Sequence, residues 1–357
     1  MPAQTILLNE ETGMWDTTPT YLFDYAKQYR ESPKNAALQW FHAAHFGLGV
    51  SYGLFSLLGR GADPLGEADT LNLTLADYEK LKEGFTARHF NATELVEFAI
   101  ANGMRYLEFT VRTADGFCLY NSQTSDFTSV KSTAKRDLLG ELASACEYHG
   151  IGLCLRYSHG RDWRHPHSPT SKAPAENGAD TAQYSAFLHE QLHELLTQYG
   201  PIAAICLEGI EDARAAGEPF LDIDDLYRMI HFLQPQALVC YQQGLTGEED
   251  FFSATDQLPT DSDTPEIQGH ILRQLDKPRQ LRISMTPGEW GYHSEYDAQK
   301  HLSLDDIWNH LSNAGSANCS LLLNTSLMPD GSIDSRDLEP LLDAGQRISR
   351  RGFPGIR

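Results

Sequence analysis

Strand-like and helix-like segments alternate along this chain, and that rhythm constrains the fold more than any other feature. "HFGLGVSY" reads as a first strand, and "NATELVEFAIANG" as an amphipathic helix with Asn91 or Thr93 near its start and Gly103 at its end. "MRYLEFTV" is a strand, "AKRDLLGELASACEYHG" a helix ending in Gly150, and "IGLCLRYS" a strand. "TAQYSAFLHEQLHELLTQYG" is a helix stopped at Gly200-Pro201, and "IAAICLEG" the strand after it. "DIDDLYRMIHFLQP" and "SLDDIWNHLSNAG" are helices preceding the strands "QALVCYQQG" and "NCSLLLNT". Parallel strands need long crossovers, and helices supply them here. At least six such units predict a closed (β/α)8 TIM-like barrel rather than an open doubly wound sheet. A length of 357 residues suits one barrel with long loops. No internal repeat appears, and no linker that would split the chain into two domains.

The surface charge excludes some functions. The chain has 28 basic and 49 acidic residues, a formal charge of −21, which repels phosphate backbones and anionic membranes. No nucleic-acid or membrane partner is therefore expected. The start "MPAQTILLNEETGMW" has no basic, apolar signal pattern, so a cytoplasmic location is expected. The six cysteines show no CxxC spacing, and four of them sit in apolar strand-like runs, as free buried thiols would. "GLGVSYG" lacks the dinucleotide spacing, so no nucleotide cofactor is implied. His165 and His167, with His159 upstream, lack a matching carboxylate spacing, and no metal is expected.

One strand is unusual. In "RYLEFTVRTADGF", alternation puts Glu108, Thr110 and Arg112 on one face and Leu107, Phe109 and Val111 on the other. Charges facing a barrel interior should occur in partnered sets, because a lone buried charge costs several kcal/mol (about 3–5). A Glu108–Arg156 or Glu108–Arg112 pair is expected. Barrel active sites form at the C-terminal ends of strands. The residues there are Ser51 and Tyr52, then Arg112, Thr113 and Asp115, then Arg156, Tyr157 and His159, then Glu208, and finally Glu289, Trp290 and Tyr292. Carboxylates mixed with Trp and Tyr suit a sugar site. Two long irregular stretches, 160–180 and 244–269, follow strands and would shape that face.

The blocks "WFHAAHFGLGVSYGLFS", "MRYLEFTVRTADGFCLYNSQTSDF", "RDLLGELASACEYHGIGLCLRYSHGRDW", "LHELLTQYGPIAAICLEG", "WGY" and "SLLLNTSLMPDGSI" occur in this order. Together they resemble glycoside hydrolase family 29, the α-L-fucosidases. The resemblance implies a catalytic barrel over 34–350, after an N-terminal extension at 1–33 and before a C-terminal tail at 351–357. The family's usual C-terminal β-sandwich would be absent. Departures fall on functional positions. Ser51 stands for the sugar-binding His of the family's "HWG", with Tyr52 for its Trp. Arg112, Thr113 and Ala114 stand for the "KHH" of "KHHDGF". Glu208 stands for the nucleophilic Asp of "WFDG". The family often has a Glu about ten residues before "WGY", whereas "RQLRISMTPGEWGY" has no carboxylate before Glu289.

Two functions are therefore expected as alternatives. The first is a retaining glycosidase of altered specificity, acting on a terminal L-fucose or related sugar. Glu208 would be its nucleophile, and Glu289, or Glu248 or Glu249 of the long loop, its general acid. Tyr52, Trp163, Trp290 and Tyr292 would form sugar-stacking walls, and no cofactor is needed. The second is a silent carbohydrate-binding or regulatory barrel, with Glu208 locked by Arg112 or Arg156. A carbohydrate is the expected partner under both, and a homo-oligomer is left open.

Overall fold

The computed structural model describes residues 8–9, 14–15, 17–62, 73–173, 175, 178–209, 222–242, 247–258, 274, 276–295 and 300–356. Eight strands run parallel: β1 (Phe46–Ser51), β2 (Tyr106–Arg112), β3 (Gly152–Ser158), β4 (Ala204–Glu208), β5 (Leu238–Tyr241), β6 (Phe252–Thr255), β7 (Arg279–Ser284) and β8 (Ser320–Ser326). Their order is β5-β4-β3-β2-β1-β8-β7-β6, a nearly closed (β/α)8 barrel. A two-residue antiparallel pair, Leu8–Asn9 with Met14–Trp15, precedes it.

Six strands fall in the runs recognised by pattern. The other two do not. β6 lies inside the stretch 244–269 read as irregular, and its four residues are too few to show a period. β7, "RQLRIS", alternates the polar Gln280, Arg282 and Ser284 of its inner face with the apolar Leu281 and Ile283, so it lacks the apolar run that marked the other strands.

The helices used below are α1 (Pro33–Ala43), α2 (Ala92–Ala101), α3 (Leu138–His149), α4 (Thr181–Gln198), α5 (Ile223–Leu233), α6 (Leu304–Ser316) and α7 (Ser335–Arg351). Their ends follow local chemistry. The Asn91 side chain accepts from Glu94 N at the start of α2, and Asp137 accepts from Gly140 N at the start of α3. Gly150 ends α3 at φ 71°, a backbone that side chains disfavour. Ser303 and Asp306 form a reciprocal capping box on α6.

Alternation along the strands divides two cores. Leu48, Val50, Leu107, Phe109, Leu153, Leu155, Ile205, Leu207, Leu321 and Leu323 pack outward in a cluster shared with the helices. Tyr106, Cys154, Cys206, Cys240 and Leu322 cluster instead with Trp40 and Phe41, so α1 plugs the N-terminal end of the barrel. Tyr106 fills this floor. Its hydroxyl bonds Ser320 Oγ at 2.9 Å and accepts from Gln280 Nε2 at 3.0 Å. Gly47 is needed beside it, since a Cβ there would collide with the Tyr106 ring. All six cysteines are free and buried.

The ladder is interrupted between β5 and β6, and Asp250 spans the seam. Its Oδ2 accepts from Val239 N at 2.8 Å, and its own N donates to Val239 O at 2.8 Å. His231 Nε2 also meets Oδ2 at 2.8 Å, and Lys34 Nζ meets Oδ1 at 2.5 Å. Gln242 Nε2 reaches Thr255 Oγ1 at 2.8 Å across the same gap. Burial pushes the Asp250 carboxyl up, but His231 and Lys34 outweigh it and hold it below the usual value. A depressed native value stabilises the fold above the unfolded pKa of about 3.9, and that contribution is lost as pH falls through the native value. Asp250→Ala is expected to lose about 3 kcal/mol in urea unfolding at pH 7, and the gap to wild type should shrink steadily below about pH 4.

Candidate active site

Four ionisable side chains meet in the barrel lumen: Glu108 on β2, Arg156 on β3, Glu208 on β4 and Arg282 on β7. Arg282 Nη2 lies 2.7 Å from Glu108 Oε1 and 3.7 Å from Glu208 Oε1. Arg156 Nε lies 4.0 Å from the same Glu208 oxygen. Arg156 Nε also donates to Thr110 Oγ1 at 2.9 Å, and its Nη2 bonds both Thr110 Oγ1 and Ser51 Oγ. Ser51 Oγ in turn donates to Asn324 Oδ1 at 2.9 Å. Arg156 thus occupies the floor between β1, β2 and β3.

The charges balance in pairs, as burial requires. Burial opposes the charge on Arg282, but Glu108 and Glu208 outweigh it and hold Arg282 above the ordinary arginine value. Burial lowers Arg156, with Glu208 opposing and Arg282 reinforcing the shift. Arginine stays charged in proteins even so. Trp290 covers both guanidiniums, with ring centroid to Cζ distances of 5.7 Å for Arg156 and 5.5 Å for Arg282.

Glu208 is the accessible member. Its side chain is 27% exposed, against 2% for Glu108 and 1% for Arg282. Both guanidiniums make their closest approach to Oε1, and no hydrogen bond to Oε2 occurs among the described residues. The backbone beneath is firmly held. Glu208 O accepts from His159 N at 3.0 Å, Gly160 N at 2.9 Å and Tyr241 Oη at 3.3 Å.

The expected Glu108 pairings are both replaced. Glu108 pairs with Arg282, which reaches it across the lumen. Arg112 does not face the lumen at all. The β2–β3 register slips between Thr110 and Arg112, so Thr110 pairs with Arg156 but Arg112 with Tyr157. One extra residue on a strand moves the next side chain to the opposite face. Arg112 therefore lies between Tyr157 and Phe187, at 5.1 and 5.6 Å from their rings. It bonds Ser158 O at 2.5 Å and forms an ion pair with Asp162. Asp162 accepts from Arg164 N and His165 N, each at 2.8 Å, so the pair anchors the loop after β3.

Other expected site residues separate into lumen and support. Tyr52 is buried against Phe85 and Phe90, with its hydroxyl on Pro329 O at 3.1 Å, and Trp163 is buried against Tyr78. Neither forms a wall of the mouth. Tyr157 points outward to Gln191 of α4 at 2.7 Å. Asp115 is enclosed by Tyr78 Oη at 2.7 Å, Thr113 Oγ1 at 2.6 Å and Phe117 N at 2.9 Å, and closes a turn. Burial brings the His159 pKa down to about 3, which keeps the ring neutral against Tyr241 Oη at 3.1 Å. Glu249 is buried beside α5, accepting from Tyr227 Oη, Gly247 N and Gln274 Nε2 at 2.9–3.1 Å. Glu248 is exposed. Glu289 lies on the loop carrying Trp290, with its carboxylate against Gly61, where a Cβ would come within 2.9 Å of Oε2. Tyr292 is half-buried, its carbonyl accepting from Gly61 N at 3.0 Å.

His165 and His167 each accept a backbone hydrogen bond at Nδ1, from His167 N at 3.3 Å and from Asp180 N at 3.1 Å respectively. No group of three or more His, Cys, Asp or Glu placed to hold a metal occurs among the described residues.

With a carboxylate at the end of β4 inside a (β/α)8 barrel, comparison with known proteins is decisive for the family. The family model described as "Alpha-L-fucosidase" matches residues 18–352. The chain belongs to the α-L-fucosidase family. "Alpha-L-fucosidase 1" of Arabidopsis thaliana is 31% identical over 277 residues, covering 72% of this chain and 51% of that protein. "Putative alpha-L-fucosidase 1" of Oryza sativa subsp. japonica is 27% identical over 72% of this chain and 50% of its own length. The chain thus spans about half the length of these curated relatives. Among solved structures, α-L-fucosidase isoenzyme 1 from Paenibacillus thiaminolyticus superposes with a TM-score of 0.74 at 24% identity, covering 90% of this chain and 77% of that one. The α-L-fucosidase AlfC from Lactobacillus casei, in complex with its α-L-fucose product, gives 0.73 at 23% identity, over 88% of this chain and 98% of that one. At such identities these likenesses establish the barrel.

Sequence reasoning missed Arg282 because β7 was not read as a strand. Its signal was available in the alternation of "RQLRIS", which places Gln280, Arg282 and Ser284 on one face. The Arg112–Asp162 pair yields a direct test. Arg112→Ala is expected to cost about 3–5 kcal/mol in urea unfolding by stranding the Asp162 charge, and Arg112→Met with Asp162→Asn, which removes that charge and keeps Oδ1 for the Arg164 and His165 backbone donors, should recover part of it.

Proposed function

We propose that this chain is a retaining glycosidase, acting on a terminal L-fucose or a related sugar with specificity altered from the rest of its family. The observation that carries the reading is the state of Glu208. It is the partly exposed carboxylate of the lumen, with one oxygen closest to two guanidiniums and the other without a hydrogen bond among the described residues. A nucleophile needs that combination: an ionised group, a fixed orientation and one free lone pair aimed at the anomeric carbon.

Glu208 Oε2 attacks the anomeric carbon while the glycosidic bond breaks, forming a glycosyl-enzyme ester. Glu289 is proposed as the acid that protonates the departing oxygen, then as the base that activates water to hydrolyse the ester. It sits one residue before Trp290, whose ring covers the guanidiniums next to Glu208. Glu249 is not proposed for this part, since its carboxylate is enclosed beside α5. Glu108, although near Glu208, is sealed in the lumen by Arg282.

Altered specificity is proposed because Ser51 and Arg156 build the floor from hydroxyls and a guanidinium. A site of buried polar groups rejects ligands that leave them unpaired. A second reading, a silent glycan-binding barrel, is favoured by the same two guanidiniums, which would hold Glu208 as a structural counter-charge.

A panel of aryl glycosides, including α-L-fucoside and α-L-galactoside, separates these readings. One member should be hydrolysed, with kcat/KM falling about 1,000-fold or more in Glu208→Gln. Saturable binding of the sugar with no turnover of any member would favour the silent barrel. Glu289→Gln should lose about 100- to 10,000-fold on a poor leaving group and much less on a 4-nitrophenyl glycoside, with azide restoring turnover. Activity unchanged in Glu289→Gln would remove the acid assignment.

A further inference from the structure

The least economical feature of the lumen is the Glu108–Arg282 pair. Both side chains are almost fully buried, yet neither is fully bonded. Glu108 Oε2 and Arg282 Nε and Nη1 have no hydrogen-bond partner among the described residues. A pair that served only to fill the barrel would gain from satisfying those groups, or from replacement by apolar side chains of similar volume. The one well-formed bond, Arg282 Nη2 to Glu108 Oε1 at 2.7 Å, has a specific geometric result. It turns the same Nη2 toward Glu208 Oε1, 3.7 Å away. Trp290 over the Arg282 Cζ limits the guanidinium from the mouth side.

We propose that Glu108 is a positioning residue for Glu208, acting through Arg282. Glu108 sets the rotation of the guanidinium, and Arg282 then meets Arg156 on a single Glu208 oxygen, leaving Oε2 free. This inference rests on the reading of Glu208 as the nucleophile and adds a residue that never touches the substrate. Glu108 also balances the set. With its charge removed, two guanidiniums face one carboxylate, and Glu208 is drawn down between them into contact through both oxygens. The free oxygen would then be lost.

Glu108→Gln tests this, since it keeps the size and removes the charge. In crystal structures of the wild type and Glu108→Gln, the Glu208 carboxylate should move toward the guanidiniums by about 1 Å, a displacement large enough to cost on the order of 100-fold in rate. On the glycoside hydrolysed by the wild type, kcat should fall by about that factor, with KM changed less than about threefold because the interaction lost belongs to the transition state. Glu108→Asp, which retains the charge, should recover part of kcat. An unmoved Glu208 carboxylate in Glu108→Gln overturns the proposal, as does an unchanged kcat. If the wild type turns over no glycoside, the nucleophile reading fails separately, and the position of Glu208 in the two crystal structures still decides the positioning role. Should Glu108→Gln not fold, Arg282→Lys keeps the charge but removes the planar fork that links Glu108 to Glu208; the Glu208 carboxylate should then lose its single-oxygen contact with a comparable fall in kcat, and an unmoved carboxylate or an unchanged kcat overturns the proposal.

Discussion

Two carboxylates and two guanidiniums can share the inside of a barrel only as a balanced set, and the upper half of this molecule is arranged around that requirement. Any one of the four left alone would cost several kcal/mol (about 3–5). The members come from β2, β3, β4 and β7, so their meeting depends on strand closure. Glu108 and Arg282 are separated along the sheet by β1 and β8 and reach one another across the lumen. Ser51, Thr110 and Asn324 extend the same network to the remaining wall. Trp290 then closes it from the loop after β7. Within this arrangement Glu208 alone among the four retains appreciable contact with solvent.

A second arginine, Arg112, shows how small a backbone feature can redirect chemistry. Strict alternation puts it in the lumen with Glu108 and Thr110. A single register slip against β3 sends it behind the sheet, where Asp162 and the Tyr157 and Phe187 rings receive it. Among the described residues, two guanidiniums thereby face two carboxylates in the lumen. The displaced arginine secures the loop that follows β3, through the backbone hydrogen bonds that Asp162 accepts. One irregularity thus separates a charge in the site from a charge that supports its rim.

The strand–helix rhythm, the cap at Asn91 and the stop at Gly150 were legible because each is a local consequence of residue type. Glu208 was legible too, standing at the end of an apolar run just before a glycine. β6 escaped because four residues carry no measurable period. β7 escaped because its lumen face is polar, and with it went Arg282. Tyr52 and Trp163 looked like sugar walls by position alone. Burial against Phe85, Phe90 and Tyr78 assigns both to the core.

By itself, the sequence determined that this chain forms a parallel barrel of crossover units and that charges face its interior. Those properties depend on period, capping and composition, which act over a few residues. Which charges pair was decided only by tertiary structure. Glu108 and Arg282 are 174 residues apart, and barrel closure brings them to 2.7 Å. The slip that removes Arg112 from the lumen leaves no mark on residue type, because it exists only between two strands. The partners of Glu208, and the oxygen they leave free, follow from that closure and that slip.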